Sequence, residues 1–403
     1  MSLERCTDSL SEARELAAER RWEQAAPRFL EAGELLAQAG ADHEAQAALA
    51  AAGDAAWRAD LPQLALRCFV RARELCALRA PARGVRGLQM AAVFLDLGEF
   101  DSAALVLEEG GDEPRAPEFD LVRLDALLGL ELVRARVGRA KDLLAELERV
   151  AGPFGSPVHL FRQGQIALRQ GELDAAVEAL STCAELIGDR LSYQGPFGAT
   201  LHELAEVAIL RGDHEDALAL LDRASAAWER AGRRAGLARV AAARARAVAD
   251  GGDDPRTAET IAPWLAFAEQ RGLRVLEAEL QLSLGSAILP REPALARGHL
   301  EQAAGLAGRI GALGLRGRAL LALHDRPGGD PAALEQACED LVELLPWRCR
   351  ASLALAQRLG EQGETRARAL ELAAAALCRL SGMDLPRDEA RARGLLWRLS
   401  AGV

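Results

Sequence analysis

The sequence predicts an all-α fold: an α-solenoid, a right-handed superhelix of about ten helix-turn-helix repeats closed by a C-terminal capping helix. Three observations predict it. A small apolar residue recurs at Ala25, Ala65, Ala103, Leu143, Ala176, Ala217, Ala258, Ala296, Ala333 and Ala369, in steps of 33 to 41 residues. Around it the same frame returns, most plainly in Gly98-Glu99-Phe100-Asp101-Ser102-Ala103, Gly171-Glu172-Leu173-Asp174-Ala175-Ala176 and Gly212-Asp213-His214-Glu215-Asp216-Ala217. Each frame reads as one helix ending at a glycine and a second starting on an acidic cap. Finally, half of the residues are hydrophobic but only 4% are aromatic, so the core is built from Ala, Leu and Val, with small side chains where helices cross. Ala and Leu are the best helix formers, while the β-branched and aromatic residues that favour strands are scarce. A fixed period in this range marks units that bury their apolar faces only by stacking on their neighbours. Such an array has no single core to outgrow and can run unbroken through 403 residues.

The elements follow in order. The first unit pairs a helix through Ser11–Leu16 with one through Ala25, Phe29 and Ala32, turning near Arg20-Arg21-Trp22. The second spans about 42 to 77, with Pro62 just past the Asp60 turn, where a first helical position tolerates the missing N–H. The third, about 83 to 109, repeats the pattern with Ala91, Phe94, Phe100, Ala103 and Leu107. A Gly-, Pro- and acid-rich loop at 109–114 then leads into a long helix from about 117 to 137. The fourth unit is the least regular; the fifth and sixth are the best formed, each preceded by the same tetrapeptide, Gly152–Gly155 and Gly195–Gly198, read as a loop. From 232 to 385 the repeats loosen relative to 1–231, and glycines at 305, 308, 311, 314 and 317 fall between helices as a candidate hinge or very close helix contact. The array thus covers 1–385, and 386–403 forms the helix that caps its open end.

Charge and composition exclude several function classes. The net charge is −11 and Lys141 is the sole lysine, so whole-chain electrostatics oppose nonspecific nucleic-acid binding. Seven scattered cysteines form no CxxC pair and sit in apolar helical frames, as small buried hydrophobes of a reducing compartment do. No stretch of about 18 uncharged apolar residues exists, and the first residues carry no apolar leader. A soluble, cytoplasmic protein without membrane insertion is expected. No two of the six histidines stand at HxxxH or HxH spacing, and His202-Glu203 has Glu206 where a zincin helix needs its second histidine. There is no GxSxG, and the only lysine follows Val137-Gly138-Arg139-Ala140, which is no phosphate loop. Acid pairs such as Glu108-Glu109 sit where helix caps need them. The expectation is therefore a protein that is not an enzyme and holds no cofactor or metal.

In the fifth unit Gly164, Gly171, Ala176 and Cys183, and in the sixth Ala205, Gly212, Ala217 and Ala224, occupy small and turn positions that resemble those of the tetratricopeptide repeat. The chain departs from that motif in its longer period and in lacking the proline near the end of the second helix, and so looks like the long-period variants of bacterial signalling-ATPase sensor modules and polarity adaptors. The resemblance implies that the first helix of each repeat lines a concave groove contacting an extended peptide or a partner helix. Carried over by position, the contact residues would be Asp54, Trp57, Arg58, Arg136, Phe161, Arg162, Gln165, Arg169, His202, Glu206, Ile209 and Arg244. Some relatives hold a C-terminal carboxylate with a lysine and asparagine clamp; with no asparagine and one misplaced lysine here, arginine would have to hold any acidic ligand. The function implied is a scaffold or adaptor binding a protein or peptide partner. The alternatives are a ligand- or peptide-responsive sensor and an obligate subunit of a larger complex.

Overall fold

The protein is described here from a computed structural model over residues 2–76, 81–109, 117–151, 156–188, 190, 193–251, 256–326, 328–361 and 365–401. Among these residues there are twenty-one α-helices and no strand. They form ten hairpins. The first five are α1 (Ser2–Ala18) with α2 (Trp22–Gln38), α3 (Asp42–Arg58) with α4 (Pro62–Glu74), α5 (Pro81–Leu97) with α6 (Phe100–Glu108), α7 (Pro117–Val133) with α8 (Val137–Ala151), and α9 (Pro157–Gln170) with α10 (Leu173–Ile187). Then follow α11 (Gln194–Arg211) with α12 (His214–Ala231), α13 (Arg234–Gly251) with α14 (Thr257–Arg271), α15 (Arg274–Ile288) with α16 (Pro293–Ile310), α17 (Leu313–His324) with α18 (Pro331–Asp340), and α19 (Leu345–Gly360) with α20 (Arg366–Leu380). The last helix, α21 (Pro386–Ala401), packs on α19 and α20.

The recurring small residue falls once on every even-numbered helix, where it lets the helices around it approach closely. Ala25, Ala65, Ala103, Ala176, Ala217, Ala296 and Ala369 are fully buried and Leu143 nearly so. In the seventh and ninth hairpins the register slips: Ala258 and Ala333 are only half-buried, and Ile261 and Leu334 fill the core instead. Glycines make the tightest crossings. A Cβ on Gly53 would stand 2.4 Å from Phe69, and one on Gly164 would stand 2.5 Å from Leu180. Five cysteines are buried, Cys338 is half-buried and Cys378 is exposed.

Turns within the first six hairpins share one hydrogen-bond signature. After α9, Gly171 (φ +76°) donates to Leu168 O and Glu172 N to Ala167 O, a Schellman closure that needs a left-handed residue. The same pair of bonds closes α1 at Arg20, α3 at Asp60 and α7 at Ala135, all with positive φ and none a glycine. The helix expected from 117 to 137 therefore ends early, because Ala135 (φ +61°) turns the chain after Val133. Two further expectations change. The Gly195–Gly198 tetrapeptide is no loop but the first turn of α11, with Phe197 buried and Gly198 against Trp228. Its counterpart at 152–155 lies outside the described residues, as do 110–114 of the acidic loop. Of the glycine series only Gly311 (φ +75°) stands between helices; Gly305 and Gly308 lie on α16, while Gly314 and Gly317 on α17 press against Leu344 and Leu341.

From α5 onward, odd-numbered helices pack on the neighbouring odd helices, as α11 does on α9 and α13, whereas even ones pack chiefly on the odd helices to either side. The layer whose members crowd side by side is the inner layer of a curved array. Curvature brings the chain back on itself after ten helices: α5 touches α15 and α9 touches α19. Turns of the first superhelical coil dock there on turns of the second. Gly98 meets Ile310, Gly171 meets Met383 and Gly212 meets Arg387. Two helix starts in this seam are capped from the other coil. Asp60 takes hydrogen bonds from the backbone N–H groups of Arg234 (2.9 Å) and Ala235 (3.2 Å) at the head of α13, and Glu343 takes one from Gly138 N (2.6 Å) at the head of α8. A carboxylate there satisfies free amides and faces the positive end of the helix dipole.

Candidate functional site: the polar inner face

Polar side chains on the odd helices bond to one another across the inner layer, and the sequence separations of these bonds repeat the 38-residue period. Gln89 donates to Asp54 (2.7 Å), and Trp57 Nε1 to Asp96 (2.9 Å). Arg162 Nε reaches Asp125 (2.6 Å) and its Nη1 reaches Gln165 (2.8 Å), whose amide passes on to Glu203 (2.7 Å). Arg246 bonds Glu206 on one side and Ser283 on the other. Arg350 pairs with Asp388 at 2.8 Å. The rungs thus link α3 to α5, α7 to α9 to α11 to α13 to α15, and α19 to α21.

The electrostatics follow from how closely protein surrounds this face. Burial pushes the Asp54 carboxyl above its usual range against the pull of Arg86 and Arg58, and burial likewise lowers Arg86. Burial pushes Glu206 the same way, but Arg246, His202 and Arg318 together outweigh it and leave the carboxyl below its usual range. Arg318 is brought down to about 10, first by burial and then by the neighbouring Arg246.

The sequence-derived contact residues fall into three groups. Asp54, Trp57, Arg162, Gln165, Arg169, His202 and Glu206 lie on the rungs just described; Arg169 stands 3.8 Å from Glu203, His202 stands 3.7 Å from Glu206, and Phe161 lies under the Arg162 guanidinium. Arg58 is exposed at the end of α3 and lies over Trp22, so it faces the preceding hairpin. The other three do not line the inner face. Arg136 is in the turn after α7 and faces solvent, because the helix that was expected to carry it stops at Val133. Ile209 is 7% exposed and packs into the core, although it follows Glu206 by one turn along the same side of α11. Arg244 bonds Asp222 of α12, which places it against the outer layer; the inward positions of α13 are Arg239 and Arg246.

Sequence reasoning missed Gln89, Asp96, Asp125, Glu203, Arg246, Arg318 and Arg350. The signal was present: each holds a polar side chain about one repeat from another that it meets or acts upon, as Glu206 and Arg246 do. Away from this face, an apolar recess of about 320 Å³ lies between α14, α15 and α16, lined by Leu265, Leu284, Ile288 and His299 among others. Among the described residues no three His, Cys, Asp or Glu side chains converge as a metal site.

Ten stacked hairpins, an inner layer of odd helices and a polar inner face define a tetratricopeptide-like α-solenoid. No protein-family model matches the chain, and no curated protein matches it in sequence. Among solved structures, a Rap protein complexed with competence and sporulation factor is similar to it in fold, with a TM-score of 0.53 at 14% identity over 79% of this chain and 99% of that one. Yeast Tom70 aligns over 100% of this chain and 96% of its own, at 12% identity and a TM-score of 0.28, too low to carry an argument.

Proposed function

We propose that this protein is a non-enzymatic scaffold or adaptor that receives a protein segment, as an extended peptide or a helix, along the inner face of the superhelix. The observation that carries this reading is the rung system from α7 to α15. It presents a preformed row of donors and acceptors whose side chains are already held in place, so little ordering is needed on the receptor side. The Rap protein of similar fold was solved with competence and sporulation factor bound, and a bound factor is what the same architecture would receive here. No helix among the described residues is long and apolar enough to cross a membrane, and we place the scaffold in the cytoplasm.

Affinity purification of the full chain from its host, followed by crosslinking, tests this. Crosslinks from a recovered protein or peptide to α9, α11 and α13 are expected. Crosslinks confined to the outer helices, or no recovered partner beside binding of a small molecule, would refute the groove reading.

The sensor alternative has its lever in this seam, where the two coils of the superhelix meet through turns, a few polar caps and an apolar cluster that joins Phe100 and Leu130 to Val275, Leu306 and Ile310. A ligand that changes the pitch would act against those contacts. Small-angle scattering with and without the recovered partner distinguishes a fixed scaffold, whose radius of gyration stays constant, from a sensor, whose radius changes.

A further inference from the structure

Among the described residues, the acids and cations of the inner face are mutually committed, with one exception. Glu206 is held by Arg246, Asp388 by Arg350, and Glu203 by Gln165 and Arg169. Glu279 lies 3.9 Å from Arg239. Arg318, at the middle of α17 and half-buried, makes no hydrogen bond and no ion pair among the described residues. Its guanidinium carbon lies over the Trp347 ring, 5.2 Å from the centroid. An aromatic face steadies the flat side of an arginine and leaves the in-plane N–H fork open, which is the edge that grips a carboxylate with two parallel bonds.

The surroundings point the same way. The charges acting on Arg318 come one each from four other inner helices of the same superhelical coil: Glu206 of α11, Arg246 of α13, Glu279 of α15 and Arg350 of α19. Both acids already serve other arginines, while Arg246 and Arg350 repel the Arg318 cation. Arg246 also keeps a buried Nε–H without an acceptor. The cluster therefore holds surplus donors and an uncompensated cation in a place where water screens poorly.

We propose that Arg318, steadied on Trp347 and flanked by Arg246 and Arg350, is the subsite that takes a carboxylate of the bound protein segment. The inference rests on the scaffold reading above and adds to it the chemistry of the ligand. The carboxylate is either the segment's C-terminus or an Asp or Glu side chain; both present the same two oxygens.

The test uses the immobilised full chain and two random decapeptide pools, one with free C-termini and one amidated, with retained peptides sequenced by mass spectrometry. Retention of the free-acid pool alone assigns the C-terminus. Retention of both pools with Asp or Glu enriched assigns a side chain. For the peptides retained, R318Q is expected to weaken binding about tenfold or more, with R318K intermediate because lysine keeps the charge and loses the fork. Circular dichroism and melting temperature of each variant establish that it is folded, and if R318Q does not fold, R318K carries the comparison. Peptides retained without acid preference, or bound equally by the parent and the folded variants, would overturn this inference and leave the scaffold reading standing. No peptide retained from either pool would overturn both.

Discussion

Single residues in this array are constrained by approach distance. Gly53 sits under Phe69, and the 2.4 Å that a Cβ would leave requires the ring or the helix to shift. Gly53→Ala is expected to cost about 1–3 kcal/mol, the usual penalty of overpacking a core, seen as a lower urea midpoint. A midpoint at or above the parent's would show that Phe69 moves aside freely. Asp54, one residue on, reports on electrostatics. Its carboxyl is raised in the folded state, so the fold binds more protons than the unfolded chain between the ordinary carboxylate pKa and the raised one. Its contribution to stability therefore falls as pH rises through that window. Asp54→Asn does not titrate, so its urea midpoint relative to the parent should rise between pH 4 and pH 7. A relative fall would mean that Gln89 and Arg86 stabilise the carboxylate more than burial opposes it.

At the scale of elements, helix ends carry information that sequence periodicity does not. Asp60 holds a left-handed conformation that glycine would adopt more easily, yet its carboxylate caps α13 and also meets Arg233 Nε at 3.1 Å. Asp60→Ala is expected to cost about 1–2 kcal/mol, the range for losing an N-cap, with faster amide hydrogen exchange at Arg234 and Ala235 than at other helix starts. Unchanged exchange there would show that the cap is idle. Glycine turns such as Gly171 and Gly212 were legible in the sequence because glycine is the common left-handed residue. Ala135 was not, since alanine in that conformation leaves no compositional mark, and the helix was read on to 137 where it stops at Val133. The site was partly legible for the same kind of reason. Period placed Arg162, Gln165 and Glu206 on inner helices, but rotation about each helix axis decides whether a side chain meets the next inner helix, the outer layer or the core. A shift of two residues separates Arg244, which faces α12, from Arg246, which joins Glu206 and Ser283.

For the whole molecule, the seam between coils decides how compact the superhelix is. Asp60→Ala combined with Glu343→Ala removes both trans caps, and the pair is expected to raise the radius of gyration in small-angle scattering while circular dichroism stays helical. An unchanged radius would assign the closure to the apolar contacts at Gly98 and Gly171 instead. Because each hairpin leans mainly on its neighbours, these variants should unfold locally before the array does. By itself the sequence determined the all-helical class, the ten hairpins and the final helix, since those follow from local propensity and from a period that recurs whatever the superhelix does. Only the tertiary structure decided that the coils meet after ten helices, that Asp60 and Glu343 cap helices far away in the chain, and that Arg318 is left with an open fork. Those features depend on small rotations between successive hairpins, which add up over the array and leave no signature in any one repeat.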